Sequence, residues 1–184
     1  MVRSVRTALP PPPPEFGTIP EFILQDQRGV AFGSENLRGK VWIANFIFTR
    51  CPTVCPALTE RMWEIQHRTR NLSNTLHMVS FSVDPGFDTP EVLAEYARGY
   101  QASTARWSFL TGQYDAVANT VVEGLKVGMP DAPESDILEI FHGTHFVLVD
   151  ADLEIRGYYA SDDEEMEDKI LRDAGLLIHR PQAR

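Results

Sequence analysis

Apolar residues in this chain come in short blocks separated by polar, Gly- and Pro-bearing stretches. The densest block is Val41-Trp42-Ile43-Ala44-Asn45-Phe46-Ile47-Phe48. A run of that length is far short of the ~18 residues that cross a bilayer, and it predicts a strand buried on both faces. Residues 76–83 repeat the pattern and predict a second buried strand; 107–110 predict a short third one. Between 52 and about 70 the spacing changes. Val54, Leu58, Met62 and Ile65 recur at helical intervals and predict one apolar helix face. Asp88-Thr89-Pro90-Glu91 reads as a helix start, with Pro90 suited to the first turn and Gly99 as the stop. Residues 114–125 predict a further helix. The last spans 162–177 and opens on Asp162-Asp163-Glu164-Glu165, acids that suit the positive end of a helix dipole. Residues 146–149 and 155–159 predict a strand pair turning at 150–152. Near the start, 21–25 and 30–32 flank Asp26-Gln27-Arg28-Gly29, whose turn chemistry predicts a small hairpin.

Strands alternating with helices predict an α/β fold, a mixed central sheet flanked by helices on both faces, with the hairpin added at its N-terminal side. One domain is expected over residues 15–184, a length that supports a real core. Residues 1–14 form a tail whose five prolines at 10–14 favour an extended, semi-rigid spacer. The net charge of −9 gives no overall attraction to nucleic acid or to an anionic membrane, so a nucleic-acid partner is not expected. The first sixteen residues carry two Arg but no apolar core of a signal peptide, and a native anchor or signal upstream stays open.

The chemistry concentrates in Cys51 and Cys55, the chain's two cysteines, four apart and each followed by proline. A buried strand runs into them and a helix starts just after. Cys51 is therefore expected at a helix N-terminus, where partial positive charge favours thiolate. On a first helical turn both sulfurs can face one side. Pro52 fits the first helical position, and Pro56 still falls where backbone donors lack helical partners. Three readings are open: small core residues, a redox pair with C-x-x-x-C in place of the thioredoxin C-x-x-C, and two soft ligands of a metal site. Two thiolates are too few for an iron–sulfur cluster or structural zinc; a three-coordinate copper site would need one more ligand, typically imidazole.

Five histidines are available. His67, His77 and His179 are expected as solvated or locally bonded surface residues. His142 and His145 remain, in Phe141-His142-Gly143-Thr144-His145-Phe146, just before a predicted strand. Asp84, with Pro85, ends the second strand near the same sheet edge. It is either an acceptor behind the site or a plain turn residue. Met129, in the Pro- and acid-rich loop 128–141, offers a thioether or has no role.

FTRCPTVCP, SVDPGFDTPEVLAEYA and HGTHFVLVDADLEIRGYY, in that order, resemble the Sco/SenC family of copper-binding, thioredoxin-fold assembly factors for cytochrome c oxidase. The resemblance covers about residues 17–175. It implies a thioredoxin-like fold and a Cu(I) or Cu(II) site made by Cys51, Cys55 and one distal histidine. His142 has the family's six-residue spacing to Leu148; His145, at a position that is not a ligand in the family, is the reserve. Arg50 departs from the neutral group or histidine frequent there, and a cation beside Cys51 would lower its pKa and repel Cu(II).

The resemblance implies a copper metallochaperone. Its partner would be cytochrome c oxidase subunit II or another cuproprotein, with other copper chaperones as further partners. Its place would be the periplasm or an equivalent oxidising side of a membrane, with a membrane anchor in the native chain. The alternative is a thiol-disulfide reductase acting on the cysteines of the same recipient, Cys51 attacking and Cys55 resolving. Where thioredoxins hold a cis-proline this chain has Gly143-Thr144 beside His142, which favours metal binding. A peroxidase is disfavoured, because no Thr-x-x-Cys motif is present.

Overall fold

The structure is a computed structural model that describes residues 10–72, 75–129 and 145–179. Eight strands form one sheet: β1 Gly17–Thr18, β2 Ile23–Asp26, β3 Ala31–Gly33, β4 Val41–Ile47, β5 Leu76–Ser82, β6 Trp107–Thr111, β7 His145–Val149 and β8 Glu154–Ala160. Their order is β1-β8-β7-β4-β5-β6-β2-β3. β4, β5 and β6 are parallel, and every other neighbour is antiparallel. The mixed sheet follows from the connections. β4–β5 and β5–β6 are joined through helices, whereas β7–β8 and β2–β3 are joined by tight turns.

The central strand β4 is buried at all seven positions, as its apolar run predicts. The hairpin β2–β3 turns where expected. Asp26 accepts the backbone N–H groups of Arg28 and Val30, and Gly29 supplies the positive φ of 72° that closes the turn.

Helices α1 Val54–Arg68, α2 Pro90–Gly99 and α4 Met166–Ile178 cover one face of the sheet. Tyr96 of α2 meets Phe109 there, and Tyr159 of β8 donates to Asp173 of α4 at 2.8 Å. The other face is covered by Phe22, which packs on Phe81, and by the helix α3, Tyr114–Ala118. α3 loosens into a π-helical turn over Asn119–Gly124, where a single helix over 114–125 is expected. Tyr158 donates to the carbonyl of Leu125 at the end of that turn.

Several expectations are corrected. Val54 does not join the buried face of α1. It is 46% exposed, and Cys55, Leu58, Thr59, Met62 and Ile65 form that face instead. The core stripe starts one residue later because the helix begins at Val54, with its first side chain over solvent. Pro52 lies two residues ahead of the helix rather than at its first position. Gly99 ends α2, but the left-handed residue after it is Gln101, with φ of 52°. The last helix starts at Met166, so the 162–165 acids precede it; Asp163 accepts the Glu165 N–H and pairs with Lys169 instead.

His77 is buried rather than a surface residue. It stacks on Phe32, with ring centroids 5.9 Å apart, and its Nε2 lies 3.0 Å from Ser108 Oγ. The added hairpin roofs it, a long-range contact that local sequence does not show. Residues 10–16 run beside β8: the Pro13 carbonyl accepts from the buried Arg156 side chain, and Phe16 packs edge-on against Tyr158. Among the described residues no helix is long and apolar enough to cross a membrane.

Candidate metal centre

β4 ends at Ile47, and α1 begins at Val54; the six residues between them carry Cys51. Cys55 is the second residue of α1 and points into the core. Both thiols are free and buried, Cys55 at 1% exposure and Cys51 at 6%. The helix start gathers them. The Cys55 backbone N–H donates to Cys51 Sγ at 3.4 Å, and the Phe48 N–H donates to Cys55 Sγ at 3.4 Å. Pro56 sits at the third helical residue, where its missing donor leaves no helical bond unmade.

The two sulfurs differ electrostatically. Burial pushes the Cys51 thiol up, but the backbone N–H groups of Cys55 and Thr53, the Cys55 thiol and the Val54 N–H together outweigh it and hold the thiol below its ordinary value. Burial pushes the Cys55 thiol up to about 12. The Phe48 N–H opposes this, and the nearby Cys51 and Asp88 add to it. Cys51 is thus the readier thiolate, and Cys55 the stored proton.

Arg50 is not a free cation beside Cys51. Its Nε donates to Asp84 Oδ2 at 2.5 Å, and its guanidinium lies 5.2 Å from the Phe87 ring centroid. The buried Asp84 carboxylate balances its charge, so the donors that favour Cys51 thiolate are helix-start amides and the Cys55 thiol. Asp84 therefore stands behind the loop as an acceptor for Arg50.

Asp88, read from sequence only as part of a helix start, has a further role in the structure. It is fully buried and accepts from the Thr49 N–H, the Thr49 hydroxyl and the Ser82 hydroxyl. Nothing local signals this, because Thr49 is 39 residues away.

A family model described as SCO1/SenC matches residues 12–174 of this chain. The chain belongs to the SCO1/SenC family. A SCO1 protein homolog from Bacillus subtilis is 33% identical over 153 residues, covering 83% of this chain and 78% of that protein. The structure of BsSco, a member of the Sco family of cytochrome c oxidase assembly proteins in which a disulfide switch was identified, superposes with a TM-score of 0.80. It is 30% identical and covers 92% of this chain and 97% of its own. Yeast Sco1 with copper bound superposes with a TM-score of 0.71 at 26% identity, covering 90% of this chain and 91% of its own. These matches bear out the thioredoxin-like fold expected from the Sco/SenC resemblance.

Within this SCO1/SenC chain the structure brings Cys51 and Cys55 together. His142 lies outside the described residues. His145 is the first residue of β7, exposed and paired with Ala160. Met129 is half-buried and packs against the core. Among the described residues no group of three or more His, Cys, Asp or Glu side chains is placed to hold a metal ion. The dithiol itself suits a soft ion: two sulfurs share one helix start, each already accepting an N–H bond.

Proposed function

We propose that this protein is a copper metallochaperone that binds one copper ion and supports assembly of the dinuclear copper centre of cytochrome c oxidase subunit II. The observation that carries the reading is the pair of free, buried thiols gathered at the start of α1, in a chain of a family whose yeast member has been determined with copper bound.

Cys51 and Cys55 supply two thiolates, and the neutral imidazole of His142 completes a three-coordinate site. His145 is the reserve ligand. Thiolate selects a soft ion, which favours Cu(I) and tolerates Cu(II). Binding must displace the Cys55 proton, so copper uptake releases protons and tightens as pH rises. Cys51 is the more exposed of the two cysteines, so an incoming ligand of the recipient reaches the copper on that side first. Release then proceeds by ligand exchange, one bond at a time. Both thiols must be reduced, so a disulfide would switch binding off. The protein would work on the oxidising side of a membrane, held by an anchor in its native chain.

Cys51→Ser or Cys55→Ser is expected to abolish tight copper binding, measured by competition against a chelating indicator under anaerobic conditions. Tight binding retained by either variant would contradict the assignment.

The asymmetry of the thiols favours one second reading, a thiol-disulfide reductase acting on the recipient's cysteines. Cys51, held towards thiolate, would attack the substrate disulfide and form a mixed disulfide. Cys55 would then displace the substrate thiol and close Cys51–Cys55. Reduction of insulin at ordinary thioredoxin rates would rank this reading first.

A further inference from the structure

The Cys51 loop has a hold outside its own strand and helix. The turn after β5, residues 84–88, reaches it with two carboxylates. Asp88 accepts the Thr49 N–H at 3.1 Å on Oδ2 and 3.3 Å on Oδ1, the Thr49 hydroxyl at 2.5 Å and the Ser82 hydroxyl at 2.6 Å. Asp84 takes the next residue, accepting Arg50 Nε at 2.5 Å. The Phe87 and Asp88 N–H groups both donate to the Asp84 carbonyl, at 3.0 and 2.9 Å, so the two carboxylates belong to one tight turn.

Thr49 is flanked by the dithiol's own contacts. On one side Phe48 donates its N–H to Cys55 Sγ; on the other, the Cys51 N–H donates to the Phe48 carbonyl at 3.2 Å. A shift of Thr49 therefore moves the backbone that carries Cys51 and the amide that contacts Cys55.

Asp88 is buried, and these three donors are all neutral. A carboxylate so placed must be desolvated, and hydrogen bonds must make up for the water it lost. It sits under a loop that exposes Arg50, Pro52 and Thr53 to solvent, which by itself would be free to move.

We infer that Asp88 is a positioning residue of the dithiol: it clamps Thr49 by both backbone and hydroxyl, and so fixes where Cys51 and Cys55 present their sulfurs to an incoming ion. The metal part of this inference rests on the copper reading; the clamp itself rests on geometry alone.

The test compares Asp88→Asn, Thr49→Val and Thr49→Ser with the parent chain, all fully reduced. Thr49→Val removes the clamped hydroxyl at nearly constant shape, and Thr49→Ser restores it. Two quantities are read. The first is amide hydrogen exchange in the metal-free protein, residue by residue. The second is the affinity for copper and the position of the thiolate-to-Cu(II) charge-transfer band.

Asp88→Asn and Thr49→Val are expected to speed exchange within residues 48–55 and leave β5 and β6 unchanged. They should also shift the band and weaken copper binding by about tenfold or more, the scale seen when an outer partner of a metal ligand is lost. Thr49→Ser should match the parent in both. Exchange that speeds up everywhere, or nowhere, would overturn the clamp; localised exchange with unchanged copper binding and band would overturn its role in positioning the dithiol. If the parent chain itself gives no copper band, the copper reading fails, and the exchange pattern alone decides the clamp. If Asp88→Asn does not fold, the two Thr49 variants carry the test.

Discussion

The sheet has two ends, and each is held by a turn built on a buried aspartate. At the end away from the cysteines, Asp150 accepts the Asp152 and Glu154 N–H groups at 3.0 Å and pairs with Arg156 at 2.7 Å. Arg156 is itself buried at 4% and holds the Pro13 carbonyl, so both partners of this ion pair are enclosed. At the cysteine end, Asp84 pairs with Arg50, whose side chain is 50% exposed, and Asp88 has only neutral donors. Val54 and Phe87 are also exposed there. The far end is closed around the Asp150–Arg156 pair. The site end keeps its carboxylates buried and turns its cation and apolar side chains outward, where a partner can reach them. That contrast separates architecture from function more clearly than the presence of a salt bridge does.

The largest expected effect is on the closed end. Arg156→Ala leaves Asp150 buried without its cation, and loss of one partner of a buried pair costs about 3–5 kcal/mol. Urea unfolding should show that loss, while copper binding by the folded variant stays as in the parent. A loss in copper affinity without a loss in stability would break the division between the two ends.

His77 gives the next effect. Burial, with Lys40 and Arg106 nearby, lowers its pKa from 6.5 to about 4. The unfolded chain therefore takes up this proton first as pH falls. The stability that this histidine contributes is complete above pH 6.5 and drains away between 6.5 and 4, by ~3 kcal/mol in all. His77→Gln removes that component, so its unfolding free energy should fall less between pH 7 and pH 4.5 than that of the parent. Equal falls would mean that His77 is not buried in its neutral form.

The smallest effect belongs to the open end. Arg50→Ala removes a cation whose side chain is 50% exposed, so water can replace it at the buried Asp84 and the loss should fall towards the ~0–1 kcal/mol of solvent-screened pairs. A stability loss as large as that of Arg156→Ala would erase the comparison.

Much of this is legible in the sequence alone. The nearly continuous apolar run at 41–48, the Asp26–Gly29 turn and Thr89-Pro90 each carry their own local signal, and each forms the element it predicts. Other features depend on contacts distant in sequence. Val54 and Cys55 compete for the inner face of α1, and periodicity alone cannot set the helix's rotation to within one residue. His77 is buried because a hairpin forty-odd residues upstream lays Phe32 over it. The site was half legible in the same sense. Two cysteines at a strand–helix junction announce themselves, whereas Asp88 resembles any helix-start acid until Thr49 is brought against it. Arg50 misleads for the reverse reason: its charge is plain in the sequence, and the Asp84 that balances it is not.

The most direct measurement is a copper titration of the fully reduced protein, followed by absorption, with His142→Ala and His145→Ala alongside. One equivalent should bind with a strong thiolate-to-Cu(II) band, abolished by His142→Ala and preserved by His145→Ala. No band, or cysteines that merely oxidise to a disulfide as copper is added, would contradict it and leave the thiol-disulfide reductase as the better reading.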